Sequence, residues 1–144
     1  MNLLKCARAP ALTVTPDTPV LAAIEKMVEV GVGAVAVVEE GKLVGIFTER
    51  DVIKRVVVKT LPMDATKISE VMSSPVQTAR ADTNPSEVLS IMDSIHFRHL
   101  PIVDEENRIQ GMLSIRHLLH RMVEDLSQEL HALDSYMCAD GPGG

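Results

Sequence analysis

The chain has 144 residues, 46% of them hydrophobic but only 2% aromatic, and a net charge of −6. That length favours one compact domain, here with an aliphatic core of Val, Leu, Ile, Ala and Met. The negative balance, the absence of Trp and the single Tyr exclude a general nucleic-acid binder, which needs a basic face and aromatic stacking platforms. Cys6 and Cys138, near opposite ends, make no disulfide framework and read as reduced thiols. No apolar run reaches the ~18 residues of a membrane span, and the first six residues lack the apolar centre of a secretory signal. The sequence therefore reads as a soluble, cytoplasmic protein with neither nucleic acid nor membrane as a partner.

The first element is a short strand at Thr13-Val14-Thr15. Thr18-Pro19 predicts a helix start, with Thr as the cap and Pro at the first helical position. Leu21, Ile24, Met27 and Val28 follow at helical spacing, and Gly31 to Gly33 end that helix. Val35–Val38 and Leu43–Phe47, separated by Glu39-Glu40-Gly41-Lys42, predict a hairpin. Thr48-Glu49-Arg50-Asp51 opens a second helix running to about Val58. Residues 59–74 read as a connection, with a helical turn at Ile68–Met72.

The same order then recurs. Thr78-Ala79 is the strand, and Asn84-Pro85 opens a helix carrying Val88, Leu89, Ile91, Met92 and Ile95. Leu100–Val103 and Ile109–Leu113 form a hairpin, and Ser114-Ile115-Arg116-His117 opens the last helix, predicted to reach about Tyr136. The two copies lie about 65 residues apart: Asp17 and Thr18 match Asp82 and Thr83, and Gly45 matches Gly111. A unit of this size rarely buries its own apolar face, whereas two stacked copies do. A cleft between matching halves is also a natural place for a ligand. Beyond the second copy, Leu119, Met122, Leu126, Leu130, Leu133 and Met137 recur every three or four residues, a stripe that needs a partner surface.

Thr-Val-Thr-Pro-Asp-Thr at 13–18, Gly-Ile-Phe-Thr-Glu-Arg-Asp at 45–51 and Arg-His-Leu-Pro-Ile-Val-Asp at 98–104 together resemble a tandem pair of cystathionine-β-synthase (CBS) domains. The resemblance covers roughly Leu12 to Leu119. It implies an α/β (α+β) fold of two β-α-β-β-α repeats about a pseudo-twofold axis, with an extended C-terminal helix. The repeats fall at 8–60 and 75–122, joined by a connecting segment at 61–74. A helical extension covers 123–138 and a flexible tail 139–144. The resemblance further implies an adenosine ligand such as AMP, ADP, ATP or NAD, regulation of a partner protein rather than chemistry, and a homodimer.

It also assigns residues. In the pattern Gly-x-x-Thr/Ser-x-x-Asp, Thr48 and Asp51 meet phosphate and ribose, because a carboxylate offers two acceptor oxygens to a cis-diol. A second reading makes Thr48 an ordinary helix cap and Asp51 a first-turn acid. Both roles are compatible. Ser114 matches Thr48, but His117 stands where the second Asp would be, so the two clefts are chemically unequal. Arg98 and His99 are placed near the ligand phosphate, since an Arg fork fits phosphate oxygens. The backbone of Thr13, Val14 and Thr15, with Thr78 opposite, is placed at the adenine edge. Ile46, Arg50, Pro101 and Arg116 complete the expected nucleotide-contacting set.

The five histidines make no convincing metal set with acidic or thiol ligands. No catalytic triad, phosphate-cradling glycine loop or Cys-x-x-Cys pair is present, so the chain is not read as an enzyme. The alternative function is a dimeric interaction scaffold whose clefts are vestigial.

Overall fold

The computed structural model describes residues 1–140, with side chains through Tyr136. Six strands form two three-stranded sheets. In the first, β2 (Thr13–Val14) pairs in parallel with β3 (Ala34–Glu39), which pairs antiparallel with β4 (Lys42–Thr48). In the second, β1 (Ala7–Arg8) pairs antiparallel with β6 (Ile109–Ser114), which pairs with β5 (His99–Val103). The helices are α1 (Val20–Val30), α2 (Glu49–Asp51, continued with wider π-type turns through Val52–Val57), α3 (Pro85–Ile95) and α4 (Ile115–Asp140). No described helix is long and apolar enough to cross a membrane.

Each sheet borrows an edge from outside its own repeat. Arg8 pairs with Met112, although the sequence placed residue 8 with the first repeat. Reciprocally, Ser73 of the connecting segment exchanges two backbone hydrogen bonds with Ile46 (2.8 and 3.1 Å). The repeated glycines explain why the borrowed edges fit. A Cβ on Gly45 would lie 2.5 Å from Met72 Sδ and 3.3 Å from the Ser73 carbonyl oxygen. One on Gly111 would lie 3.1 Å from the Arg8 carbonyl oxygen and 3.1 Å from Leu4. Backbone lies across both positions, so a side chain there would push a strand away. The edge segments also share a cis X-Pro bond, Ala9–Pro10 and Ser74–Pro75.

The matched Asp-Thr pairs form turns, not helix caps. Thr18 Oγ1 accepts from the Thr15 amide at 3.0 Å, and Thr83 Oγ1 accepts from the Arg80 amide at 2.9 Å. Pro19, in an extended conformation, is the cap position of α1, and no side chain caps it. The expected Thr18 cap is thus corrected: its hydroxyl is already engaged by the preceding turn. In the second repeat Asn84 does cap α3, accepting from the Ser86 amide at 2.8 Å, with Pro85 at the first helical position. α1 ends on Gly31 at φ 78°, where glycine has no steric cost. The matching terminator of α3 is His96 at φ 57°, a conformation that strains a residue with a Cβ.

Each repeat has its own core. Val14, Val20, Met27, Val35, Val37, Phe47 and Val56 fill the first. Leu3, Val88, Met92, Leu100, Ile102, Leu113 and Leu118 fill the second. Leu3 is fully buried, and its amide donates to the Ala81 carbonyl at 2.8 Å, so the N-terminal residues belong to the second core. Cys6 is a buried free thiol there, pushed up in pKa by burial. A third cluster joins the sheets: Ala34, Ala36, Leu43 and Ile46 meet Val103 and Met112. The hairpins are tied where Asn107 Nδ2 donates to the Leu43 carbonyl (3.0 Å) and the Leu43 amide donates back to the Asn107 carbonyl (3.0 Å).

α4 leaves this body after one side of its first two turns is covered. Leu118 is buried and Met122 half-buried against the second core. The expected apolar stripe therefore shifts: Val123, not Met122, lies with Leu119, Leu126, Leu130 and Leu133 on the exposed side. The Met137 side chain lies outside the described residues, as does the tail at 141–144, while Ala139 and Asp140 continue the helix.

Candidate functional site

Where the two repeats face each other, a cleft of about 430 Å³ opens between the start of α2 and the turn from α3 into β5. From the first repeat come Gly33, Thr48, Glu49, Arg50 and Ile53. From the second come His96, Phe97, Arg98 and His99. Strand pairing aligns the two sides: Ala34 lies opposite Thr48, and His99 opposite Ser114. The Glu49 amide donates to the Gly33 carbonyl (3.0 Å), and the Ile115 amide donates to the Arg98 carbonyl (2.9 Å). Each helix start is thus fastened to the turn of its own repeat.

Arg50 crosses between repeats. Its Nη1 donates to the His96 carbonyl at 3.0 Å. The positive φ at His96 therefore coincides with a contact that spans the cleft, one place where local strain serves a site. Gly33 leaves room that Glu49 and His99 occupy: an added Cβ would stand 3.2 Å from the Glu49 carboxylate and 3.3 Å from His99 Cε1. Burial is the main cause that lowers the pKa of His99; Glu49 opposes it, while His117 and Arg98 reinforce it. The ring is therefore neutral at pH 7 and offers one donor and one acceptor.

Asp51 is held behind this wall. Its Oδ2 accepts from the Thr48 amide (3.0 Å), and the Thr48 hydroxyl accepts from the Asp51 amide (3.3 Å), completing a reciprocal cap. Asp51 Oδ1 accepts from the Ser73 hydroxyl at 3.0 Å, and Arg55 Nε lies 3.7 Å away. At 7% exposure Asp51 is buried and absent from the cleft lining. The capping reading is thus realised in full, with the carboxylate also clamping the edge segment that carries Ser73.

Of the expected contact residues, the structure brings Thr48, Arg50, Arg98 and His99 into one cleft. Arg116 and His117 line a separate concavity on α4, with Leu119, His120 and Val123. Val14 is buried in the first core and Ile46 between the sheets. Thr15 is engaged in its turn with Thr18, and Thr13 is exposed on β2. Thr78 and Ser114 are half-buried; Pro101 is buried, its carbonyl accepting from the Ala79 amide at 3.0 Å. These seven residues, like Asp51, line none of the described cavities. The sequence reading passed over Glu49, Ile53 and Phe97 as site residues. Phe97 did carry a signal, as one of only two Phe in the chain, next to Arg98. Among the described residues no group of three or more His, Cys, Asp or Glu is arranged to hold a metal ion.

The CBS domain family matches residues 5–58 and again 68–124. The chain belongs to the CBS-domain family. A CBS domain-containing protein of Arabidopsis thaliana, CBSCBSPB1, is 37% identical over 112 residues, which is 78% of this chain and 21% of that protein. The chain spans about a fifth of the length of several curated relatives it matches. A solved protein with CBS domains from Burkholderia ambifaria superposes with a TM-score of 0.76 at 32% identity, covering 81% of this chain and 85% of that one. The structure of CBSX2 in complex with AMP superposes at 0.72 with 21% identity, over 85% and 96% of the two chains. At that identity the likeness is one of fold. The two matched segments are thus the two repeats that exchange sheet edges and enclose the cleft.

Proposed function

We propose that this CBS pair is a regulatory module that binds an adenine nucleotide (AMP, ADP, ATP or NAD) in the cleft between α2 and the α3–β5 turn. Its occupancy is passed to a protein partner, and the module itself performs no chemistry. One observation carries the reading. A chain of net charge −6 concentrates Arg50 and Arg98 in one concavity against the single carboxylate of Glu49, a local excess of +1 (+2 − 1) with His neutral. An arginine fork suits a phosphate, and Ile53 and Phe97 supply apolar surface for a base. The AMP held by CBSX2, a protein of the same fold, supports an adenosine ligand.

In this reading Arg98, free of any ion pair among the described residues, takes the phosphate. Asp51, buried behind cleft-lining Thr48 with Oδ2 engaged by it, is proposed to meet a ribose diol only once ligand displaces the Thr48 hydroxyl from that oxygen. The backbone of Thr13, Val14, Thr15 and Thr78 is proposed to meet adenine once the cleft closes on ligand. Ligand then shifts the relative pose of the repeats through the Arg50–His96 contact, by binding one pose better than the other. Calorimetry with AMP, ADP, ATP, NAD and adenosine tests this. Arg98→Ala is expected to weaken AMP about tenfold and adenosine little. Silence from all five at millimolar concentration defeats the proposal, and equal loss for AMP and adenosine removes Arg98 from the phosphate. The exposed stripe on α4 favours a second reading, an interaction scaffold.

A further inference from the structure

The outer side of α4 carries Leu119, Val123, Leu126, Leu130 and Leu133, each between 44% and 62% exposed. Their spacings are 4, 3, 4 and 3 residues. That alternation is a 3.5-residue repeat, the pattern of a seam covered by another helix. The body of the chain does not supply the cover. Every described residue from Leu126 to Tyr136 is exposed. A projecting segment this short is a marginal helix in water without a partner.

The charges beside the seam decide which helix fits. In paired helices the residues flanking the seam meet the partner's flanks and set partner choice. On α4 those positions hold His120, Met122, Ser127, Glu129, Asp134 and Tyr136. Two are acids, and none is Lys or Arg. Glu124 and Asp125 lie further from the seam and are already paired along the helix, with His120 and Arg121. Glu129 and Asp134 enter no ion pair among the described residues. Residues 124–136 contain no Lys or Arg that could reach them.

We infer that the outer side of α4 binds a helix of a protein partner, one whose aliphatic seam is flanked by Lys or Arg. Such a helix gives Glu129 and Asp134 an opposite charge while it covers the leucines. A second copy of α4 does not: beside its seam it offers these acids no Lys or Arg. A parallel pair would also set Glu129 against Asp134 of the copy twice, a like-charge contact that works against self-pairing. A lipid surface is disfavoured by the same acids, because helices that lie on membranes carry basic flanks. Five half-exposed aliphatic side chains give roughly 500 Å² of apolar surface, so the helix pair buries about 1,000 Å² in all, the size of a transient contact. The inference is independent of the nucleotide reading. It rests on the scaffold reading of α4 and gives that scaffold a class of partner.

Two labelled three-heptad peptides test it, by fluorescence anisotropy with the whole chain. Both carry Leu at every seam position; one has Lys at the flanking positions and the other Glu. The Lys peptide is expected to bind at least ~10-fold tighter than the Glu peptide and than a scrambled Lys peptide of the same composition. Leu126→Glu with Leu130→Glu is expected to abolish that binding, although it makes the chain more acidic. Unchanged or tighter binding shows charge attraction without a seam and overturns the inference. Both positions are exposed, and an unchanged thermal transition of the body shows that folding survives. Glu129→Lys with Asp134→Lys is expected to reverse the preference toward the Glu peptide, even though the chain stays net negative. Equal binding of the Lys and Glu peptides overturns the basic partner and leaves α4 an interface; binding of neither defeats the scaffold reading as well. A sedimentation mass that falls in the Leu126→Glu, Leu130→Glu variant makes a second copy the occupant. Cosedimentation of the wild type with phosphatidylcholine vesicles makes it a lipid surface. Either result overturns the inference.

Discussion

Removing the Asp51 carboxylate should loosen two structural joints at once. Asp51→Ala leaves the Thr48 amide without its cap partner and the Ser73 hydroxyl without its acceptor. Loss of a helix cap costs about 1 kcal/mol. Leaving a part-buried hydroxyl unpaired costs roughly 1–2 kcal/mol more. Arg55, 3.7 Å away with a 45% exposed side chain, adds almost nothing because water screens it. The expected total is about 2–3 kcal/mol, a fall in Tm of roughly 6–12 °C for a domain of this size. Ser73→Ala alone should cost about 1 kcal/mol, and the double variant should fall short of the sum by about 0.5–1.5 kcal/mol because the two share one bond. Urea denaturation of wild type and the three variants measures the free energies, and thermal melts measure the Tm shifts. If Asp51→Ala melts within a degree of wild type, or the two changes simply add, then the carboxylate does not join α2 to the edge segment.

Gly111→Ala forces a Cβ to within 3.1 Å of the Arg8 carbonyl oxygen, so it should cost about 1–3 kcal/mol and release the N-terminal edge first. Hydrogen exchange should show faster loss of protection at Leu3 and Cys6 than in either hairpin. His99 takes up its proton in the unfolded chain near the usual ~6.5 but only at lower pH when folded, because burial disfavours the charged ring. Its contribution is therefore present above about pH 6.5 and is lost as pH falls through the lowered folded value. His99→Gln should flatten the decline of Tm measured between pH 7 and pH 5. Asn107→Gly keeps the positive φ that the turn requires but drops the tether to Leu43, and should cost about 0.5–1.5 kcal/mol. Asn107→Ala should cost more in the same denaturant titration, because it adds backbone strain.

The hairpins and helices were legible in the chain because the forces that set them act within a few residues. Apolar spacing marks α1 and α3, Asn84-Pro85 starts a helix, and Thr48-x-x-Asp51 closes a reciprocal cap across three residues. Duplication of these signals showed two halves that must bury each other's faces, and so a cleft between them. Thr48, Arg50, Arg98 and His99 in that cleft were readable from the same motifs. What the chain could not declare was any pairing set by long-range fit. Ala7–Arg8 completes the sheet of the second repeat, and Ser73 that of the first, because each sheet offers a bare edge beside a glycine. Only folding brings the Ser73 hydroxyl to Asp51 and the Arg50 guanidinium to the His96 carbonyl. It also decides that Met122 turns inward and Val123 outward on α4, since helical spacing admits either residue to the stripe and the position of the second core selects one.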